Sequence, residues 1–301
     1  MHNHTAGAGK PAWLKKRLPT GGGYAKVTRL LAGAKLHTVC QEANCPNMFE
    51  CFSKDTATFM ILGDQCTRHC RFCNVTARPP LAVDPQEPAR VALAVQELEL
   101  HYVVVTSVTR DDLPDGGAAH FAAVIQALKK LGKDREQSIR VEVLIPDFQG
   151  EFTALKTVVD AQPDVINHNI ETVADLYSRV RPEAVYQRSL DLISNVKKLN
   201  PDMPAKSGIM VGLGETRPQL EKAMQDLHDH GCDMLTIGQY LQPTKNHLPV
   251  EKYYPPAEFE QLEQTARNIG FTKVAAGPFV RSSYRADELF QKPDISAKTK
   301  S

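Results

Sequence analysis

Six of the seven cysteines crowd between positions 40 and 73, in two groups of three. Cys40, Cys45 and Cys51 form a C-x4-C-x5-C pattern, and Cys66, Cys70 and Cys73 form C-x3-C-x2-C. Thiols at this density bond to each other or to metal. Disulfide frameworks belong to small secreted domains in oxidising compartments, whereas this chain has 301 residues. Structural zinc takes four Cys or His ligands, commonly from C-x2-C pairs, and His37 or His69 would have to complete a triplet from an unfamiliar spacing. A zinc-stabilised module without catalysis is thus the reading from a different class. Iron–sulfur cubanes are held by thiolates, normally four. Three thiolates leave one iron open to a substrate, a cofactor or a ligand other than Cys. The triplets therefore read as two clusters, each with one distinct iron. Cys232, in LHDHGCDML, reads as a buried small apolar residue.

These residues need a scaffold. From about residue 56 onward, apolar runs suited to strands alternate with helical patterns. The strand candidates are Thr58–Leu62, Tyr102–Thr106, Arg140–Ile145, Asp164–Asn169, Lys206–Val211, Met234–Tyr240 and Thr272–Ala276. Phe121, Val124, Ile125 and Leu128 recur at i, i+3, i+4 and i+7, and Leu220, Met224 and Leu227 at i, i+4 and i+7. Mostly apolar strands followed by amphipathic helices predict a parallel sheet covered by helices. The fold class is α/β, a partial (β/α)6-type, TIM-like barrel with N- and C-terminal extensions. Residues 1–55 form an extension carrying the first triplet, 56–276 the barrel, and 277–301 a second extension whose Lys/Ser-rich end is expected to be disordered.

Polar residues gather just after the strands, in SVTRDDLPDGG, PDFQG, NHNIET, GLGET and QYLQPT. In (β/α) barrels that end of the sheet carries the active site. One rim thus collects Asp111, Asp112, Asn167, His168, Asn169, Glu171, Glu215 and Gln239. The second triplet follows the first strand directly, which puts it at the same mouth. Lys plus Arg is 36 and Asp plus Glu is 35, a net charge of +1. That balance argues against a phosphate-tracking surface, so no nucleic-acid partner is expected. No apolar run reaches the roughly 20 residues of a membrane-spanning helix, so no membrane partner is expected. The N-terminal residues show no apolar h-region followed by a cleavage site, and a cytoplasmic protein is expected.

The second triplet, Cys66-Thr67-Arg68-His69-Cys70-Arg71-Phe72-Cys73, resembles the cluster loop of the radical S-adenosylmethionine superfamily. The first triplet, in VCQEANCPN followed by Glu50-Cys51, narrows the resemblance to the lipoyl synthase family. So do TSVTRDDLPDGGA, VEVLIPDF, NHNIETV, KSGIMVGLGET, IGQYLQPT and GPFVRSSYRADE, which carry the likeness from about Val39 to Glu288.

The resemblance implies a sulfurtransferase of lipoate biosynthesis and protein lipoylation. It would insert two sulfur atoms at C6 and C8 of a protein-bound octanoyl-lysine. It implies two [4Fe-4S] clusters and S-adenosyl-L-methionine, cleaved to a 5′-deoxyadenosyl radical at the cluster of Cys66, Cys70 and Cys73. The cluster of Cys40, Cys45 and Cys51 would donate sulfur, with Ser283 of the RSSY motif as its fourth ligand and Ser282 as the alternative. An alkoxide suits iron less well than a thiolate, which makes that ligand easy to displace. S-adenosylmethionine contacts are expected from Phe72, Ser107, Arg110, Asp111, Asn169, Glu171, Lys206 and Arg181, with Arg179 as a further candidate. Expected partners are octanoylated lipoyl carrier domains, on 2-oxoacid dehydrogenase E2 subunits or the glycine cleavage H protein. A low-potential electron donor such as ferredoxin or flavodoxin is also expected. The basic N-terminal arm (Lys10, Lys15, Lys16, Arg17, Lys26, Arg29 and Lys35) reads as a solvated extension, with docking of an acidic carrier domain as the sharper expectation. Another radical S-adenosylmethionine sulfur inserter is the nearest rival.

Overall fold

A computed structural model describes residues 11–15, 23–54 and 56–291. In chain order the elements are α1 (Gly23–Ala34), β1 (His37–Thr38), α2 (Val39–Glu42), α3 (Met48–Ser53), β2 (Thr58–Ile61), β3 (Gln65–Cys66), β4 (Thr76–Ala77), α4 (Glu87–Glu97) and β5 (Tyr102–Ser107). There follow α5 (Ala118–Asp134), β6 (Arg140–Leu144), α6 (Phe152–Asp160), β7 (Val165–Asn167), α7 (Tyr177–Val180), α8 (Tyr186–Leu199), β8 (Ala205–Val211) and α9 (Arg217–Asp229). The last are β9 (Met234–Gln239), α10 (Pro256–Ile269), β10 (Lys273–Gly277) and α11 (Ala286–Gln291). Lys10, Lys16 and Arg17 of the basic arm, and the Lys/Ser-rich end, lie outside the described residues.

The main sheet runs β1-β2-β5-β6-β7-β8-β9-β10. From β2 to β10 every neighbour is parallel, and β1 pairs antiparallel with β2. Among the described residues β1 and β10 are its edges, so the barrel is open. Strand–helix units β2–α4, β5–α5, β6–α6, β7–α8, β8–α9 and β9–α10 precede the last parallel strand. The expected partial barrel is therefore present, and its strands coincide with the apolar runs to within two residues at either end. The N-terminal extension, expected to precede the first strand, itself supplies β1, which pairs antiparallel with β2 and covers its edge.

Burial explains the pattern. Every residue of β9 is buried, and all of β8 except Met210. Strands covered on both faces are near-continuous apolar runs. Helix α5 turns Phe121, Val124, Ile125 and Leu128 onto the sheet, all fully buried. Helix α9 starts at a capping box, in which Thr216 and Gln219 satisfy each other's backbone amides.

The inner face carries a charged group. Glu142 of β6 is fully buried. Its Oε1 accepts from Lys206 Nζ at 2.8 Å and from Asn167 Nδ2 at 2.9 Å. Its Oε2 accepts from Tyr102 OH at 2.7 Å and from Lys206 Nζ at 3.1 Å. This network ties β5, β6, β7 and β8 together on the face that carries the site. A buried ion pair adds little over an apolar pair, but removing one partner strands the other charge, at about 3–5 kcal/mol. Lys206→Met should lose about that much unfolding free energy in urea titration, whereas Glu142→Gln/Lys206→Met should recover most of it.

Candidate active site

The segment 66–73 leaves β3 and is anchored at each end. Thr67 N and Oγ1 both donate to Thr109 O, at 3.1 and 3.0 Å, and Asp111 N donates to Thr67 Oγ1 at 3.1 Å. Arg71 N donates to Val180 O at 2.9 Å, and His247 Nε2 lies 3.0 Å from Cys73 O. Arg68 is the central pin. Its buried guanidinium donates to Asp111 at 2.6 and 2.9 Å and to Asp147 Oδ1 at 2.6 Å. Asp147 also accepts from Arg188 Nη1 at 3.2 Å. Burial works against the Asp147 charge, but the Arg68 guanidinium outweighs it and holds the carboxyl below the usual carboxylate range.

The C-terminal segment closes the other side. At Gly238 of β9 a Cβ would stand 2.1 Å from Val280 O, so only glycine lets that segment cross the strand end. Asn47 Nδ2, beside the first triplet, donates to Phe279 O at 2.7 Å. Tyr284 OH donates to Glu50 Oε1 at 2.8 Å, and Arg285 Nη2 donates to the same oxygen at 3.2 Å. Ser282 Oγ donates to Asn169 Oδ1 at 2.7 Å and accepts from Asn167 Nδ2 at 2.9 Å. Gly208 leaves room for this contact, since a Cβ there would lie 2.8 Å from Asn169 Oδ1. Asn74 Nδ2 donates to Glu42 O at 2.8 Å, joining the two triplet loops.

These ties enclose a cavity of about 640 Å³. Its walls include Cys40, Cys45, Cys51, Cys66, Cys70, Cys73 and Ser283. All six thiols are free of disulfides. Burial, then repulsion from Cys45 and Cys51, pushes the Cys40 thiol up to about 12. Burial also pushes Cys73 up to about 12 and raises Cys70. Cys40, Cys70 and Cys73, pushed up by burial, ionise only with a cation to compensate them, and iron is such a cation. Cys66 Sγ already accepts from Thr109 N at 3.3 Å. Among the described residues no three Cys, His, Asp or Glu side chains converge closely enough to hold one metal ion. Two thiol triplets and a hydroxyl around one cavity fit cubane clusters as a donor set.

Phe72, Ser107, Asn169, Glu171 and Arg181 also line this cavity. Ser107 Oγ and Arg181 Nε are buried with no hydrogen-bond partner, so both offer polar atoms to a ligand. Arg181 Nη1 donates to Asn169 O and Ile170 O at 3.0 and 3.1 Å, which aims the side chain. Burial raises the Glu171 carboxyl above its usual range, and Glu171 has the unusual φ of +66°. The other expected contacts are not on the wall. Arg110 forks onto Asp112 at 2.8 Å, Asp111 is held by Arg68, and Lys206 is paired with Glu142. Arg179 pairs with Glu251 at 2.5 Å. The sequence alone did not single out Arg68 and Asp147, although Arg68 stands between Cys66 and Cys70. It also missed Arg281, which lines the cavity with its guanidinium lowered by burial.

An open parallel barrel with a C-x3-C-x2-C loop at its mouth defines a radical S-adenosylmethionine enzyme. The model of the Radical SAM superfamily matches residues 60–227, and that of the N-terminal domain of lipoyl synthase matches residues 3–45. The lipoyl synthase of Desulfotalea psychrophila is 53% identical over 296 residues, covering 98% of each chain. That of Caldanaerobacter subterraneus subsp. tengcongensis is 55% identical over 278 residues, covering 92% of this chain and 96% of its own. Methylornithine synthase shares the fold, with a TM-score of 0.51 at 12% identity over 81% of this chain and 68% of its own. The chain belongs to the lipoyl synthase family. It is a radical S-adenosylmethionine enzyme that inserts sulfur, with S-adenosylmethionine and two [4Fe-4S] clusters as its cofactors.

His168 gives the cavity wall a pH signature. Its Nδ1 lies 2.9 Å from Ile145 O and its Nε2 2.9 Å from Ser189 Oγ, an arrangement for a neutral ring protonated on Nδ1. Burial, then the nearby Arg181 charge, lowers it to about 4. An unfolded histidine titrates near 6.5, so between about 6.5 and 4 only the unfolded chain takes the proton. Stability is therefore full above that window and falls as pH drops through it, by up to ~1.4 kcal/mol per unit. Urea midpoints between pH 7 and 5 should follow this slope, and His168→Gln should flatten it.

Proposed function

We propose that Cys66, Cys70 and Cys73 hold the cluster that engages S-adenosylmethionine, and that Cys40, Cys45, Cys51 and Ser283 hold the auxiliary cluster. The observation that carries this assignment is the enclosure of both triplets and Ser283 in one cavity. Ser283 rather than Ser282 is favoured as ligand, because the Ser282 hydroxyl is engaged with Asn167 and Asn169. Bound there, the clusters supply an electron for opening the sulfonium and sulfur for C6 and C8 of the octanoyl chain.

The protein's own task is to hold and orient. Ser107 Oγ and Arg181 Nε are polar atoms free to receive the amino-acid part of S-adenosylmethionine. Arg181 supplies fixed positive charge there: burial opposes that charge, but Tyr177, Glu171 and Cys70 outweigh it. Phe72 packs against the cluster of Val180, Leu213, Tyr240 and Val250 and presents its backbone to the adenine side. Asn169 and Glu171 border the ribose in this reading. Arg110, Asp111 and Lys206 act as supports of the wall through their ion pairs. The largely apolar cavity excludes water, which protects a carbon radical from side reactions.

The same reading divides the chain at 55 and 276 into an extension, a barrel and a closing segment. Its substrate is a lipoyl carrier domain. We assign the carriers to 2-oxoacid dehydrogenase E2 subunits or the glycine cleavage H protein, and the electron source to ferredoxin or flavodoxin. A cytoplasmic setting suits six thiols that must stay reduced.

Anaerobic turnover of an octanoyl-lysine peptide, read by mass, tests the assignment. Cys70→Ala should abolish S-adenosylmethionine cleavage. Cys45→Ala should leave cleavage measurable and stop sulfur insertion; insertion by that variant would refute the donor role. Ser283→Ala should lower retention of the auxiliary cluster's iron, whereas Ser282→Ala should keep the iron and cost ~1 kcal/mol of stability.

A further inference from the structure

Each thiol triplet has its own arginine. The cavity wall carries Arg181, Arg281 and Arg285. Arg285 is committed elsewhere, to Glu50 at 3.2 Å and Glu288 at 3.5 Å. Arg181 belongs to the second triplet: its charge acts on Cys70, and its Nη1 is fixed by Asn169 O and Ile170 O. Arg281 belongs to the first, since the thiol whose charge acts on it is Cys45. Glu171 lies within reach of both charges.

Arg281 is seated but not paired. Its Nη1 donates to Val280 O at 2.6 Å, and among the described residues no other hydrogen bond or ion pair engages its guanidinium. A Cβ at Gly238 would stand 3.2 Å from that Nη1, so the bare end of β9 gives the group its seat. The side chain is half-buried, with its open part on the cavity. Burial works against its charge, and Cys45 and Glu171 offset this only in part. A cation withdrawn from water without an anion beside it is costly. Arg281 also stands two residues before Ser283, so one short segment brings the cation and the hydroxyl to the same wall.

We propose that Arg281 is the charge-compensating residue of the auxiliary cluster, with free N–H donors for its sulfur atoms. The inference rests on the assignment of Cys40, Cys45, Cys51 and Ser283 to that cluster. A cubane core with three thiolates and an alkoxide is an anion, and in a dry cavity that anion needs a counter-charge. A guanidinium offers one without competing as a ligand, because it has donors only and no lone pair to give to iron. Local charge and hydrogen bonds to cluster sulfur also set a cluster's reduction potential. Arg281 thereby steadies a cluster whose hydroxyl ligand is easily displaced.

The test first removes the other cluster. Cys66→Ala/Cys70→Ala/Cys73→Ala leaves the auxiliary set alone, and Cys66→Ser/Cys70→Ser/Cys73→Ser covers misfolding of that chain. Each background is loaded anaerobically, and cluster loss to a ferrous chelator is followed by absorbance. Arg281→Met, which keeps length without charge, should speed that loss about tenfold or more, as for a lost charge-assisted hydrogen bond. Arg281→Gln should behave alike and covers misfolding of Arg281→Met. Arg281→Lys should recover most of the loss, because the charge returns although the fork does not. The midpoint potential should fall in Arg281→Met by about a tenfold change in the reduction equilibrium, ~59 mV for one electron, and return toward the parent in Arg281→Lys. Retention and potential equal in parent, Arg281→Met and Arg281→Gln would overturn the proposal. So would equal losses in Arg281→Met and Arg281→Lys, which mark a residue that only packs. Absence of any cluster from both triple-substituted backgrounds would instead overturn the ligand assignment beneath it.

Discussion

Two thiol triplets around one cavity are the constraint on which this molecule is built. Cys40, Cys70 and Cys73 resist ionisation because burial disfavours their thiolates and neighbouring thiols repel them. The site is therefore complete only with compensating positive charge, and cluster iron provides it. A loose loop could relieve the repulsion by moving apart. The surrounding structure prevents this with contacts that would otherwise look excessive for surface segments.

Those contacts follow one logic. Arg68 fastens the second triplet to the loops after β5 and β6, and Asp147 stays ionised to receive it. Glu50, Asn47 and Gly238 fasten the C-terminal segment over the first triplet. The Glu142–Lys206 pair holds the strands beneath. Buried charges contribute little net stability but penalise any other arrangement of the groups around them. They suit a site whose geometry matters more than its depth of burial.

The two sides of the loop from Cys66 to Cys73 then face different surroundings. Inward, the wall is mostly apolar, with a few oriented polar atoms such as Ser107 Oγ and Arg181 Nε. Outward, a second cavity opens beside the exposed His69 and Arg71. One short loop can serve both because its cysteines alternate with residues that point elsewhere: Arg68 into an ion-pair network and Arg71 to solvent.

The sequence by itself determined the chemistry and the scaffold. Spacing of Cys40, Cys45, Cys51, Cys66, Cys70 and Cys73 is local, so the two thiol triplets are written in the chain. The strands of the barrel are equally local, since burial on both faces demands apolar runs. Tertiary structure decided which polar residues face the cavity. Arg110, Asp111 and Lys206 have the same residue types as true ligand contacts, but their partners Asp112, Arg68 and Glu142 turn them away. Ser282 and Ser283 are adjacent and identical in type; only the positions of Asn167 and Asn169 distinguish them. A side chain's chemistry is carried by its own residue, whereas its direction is set by partners far along the chain, and folding alone brings those together.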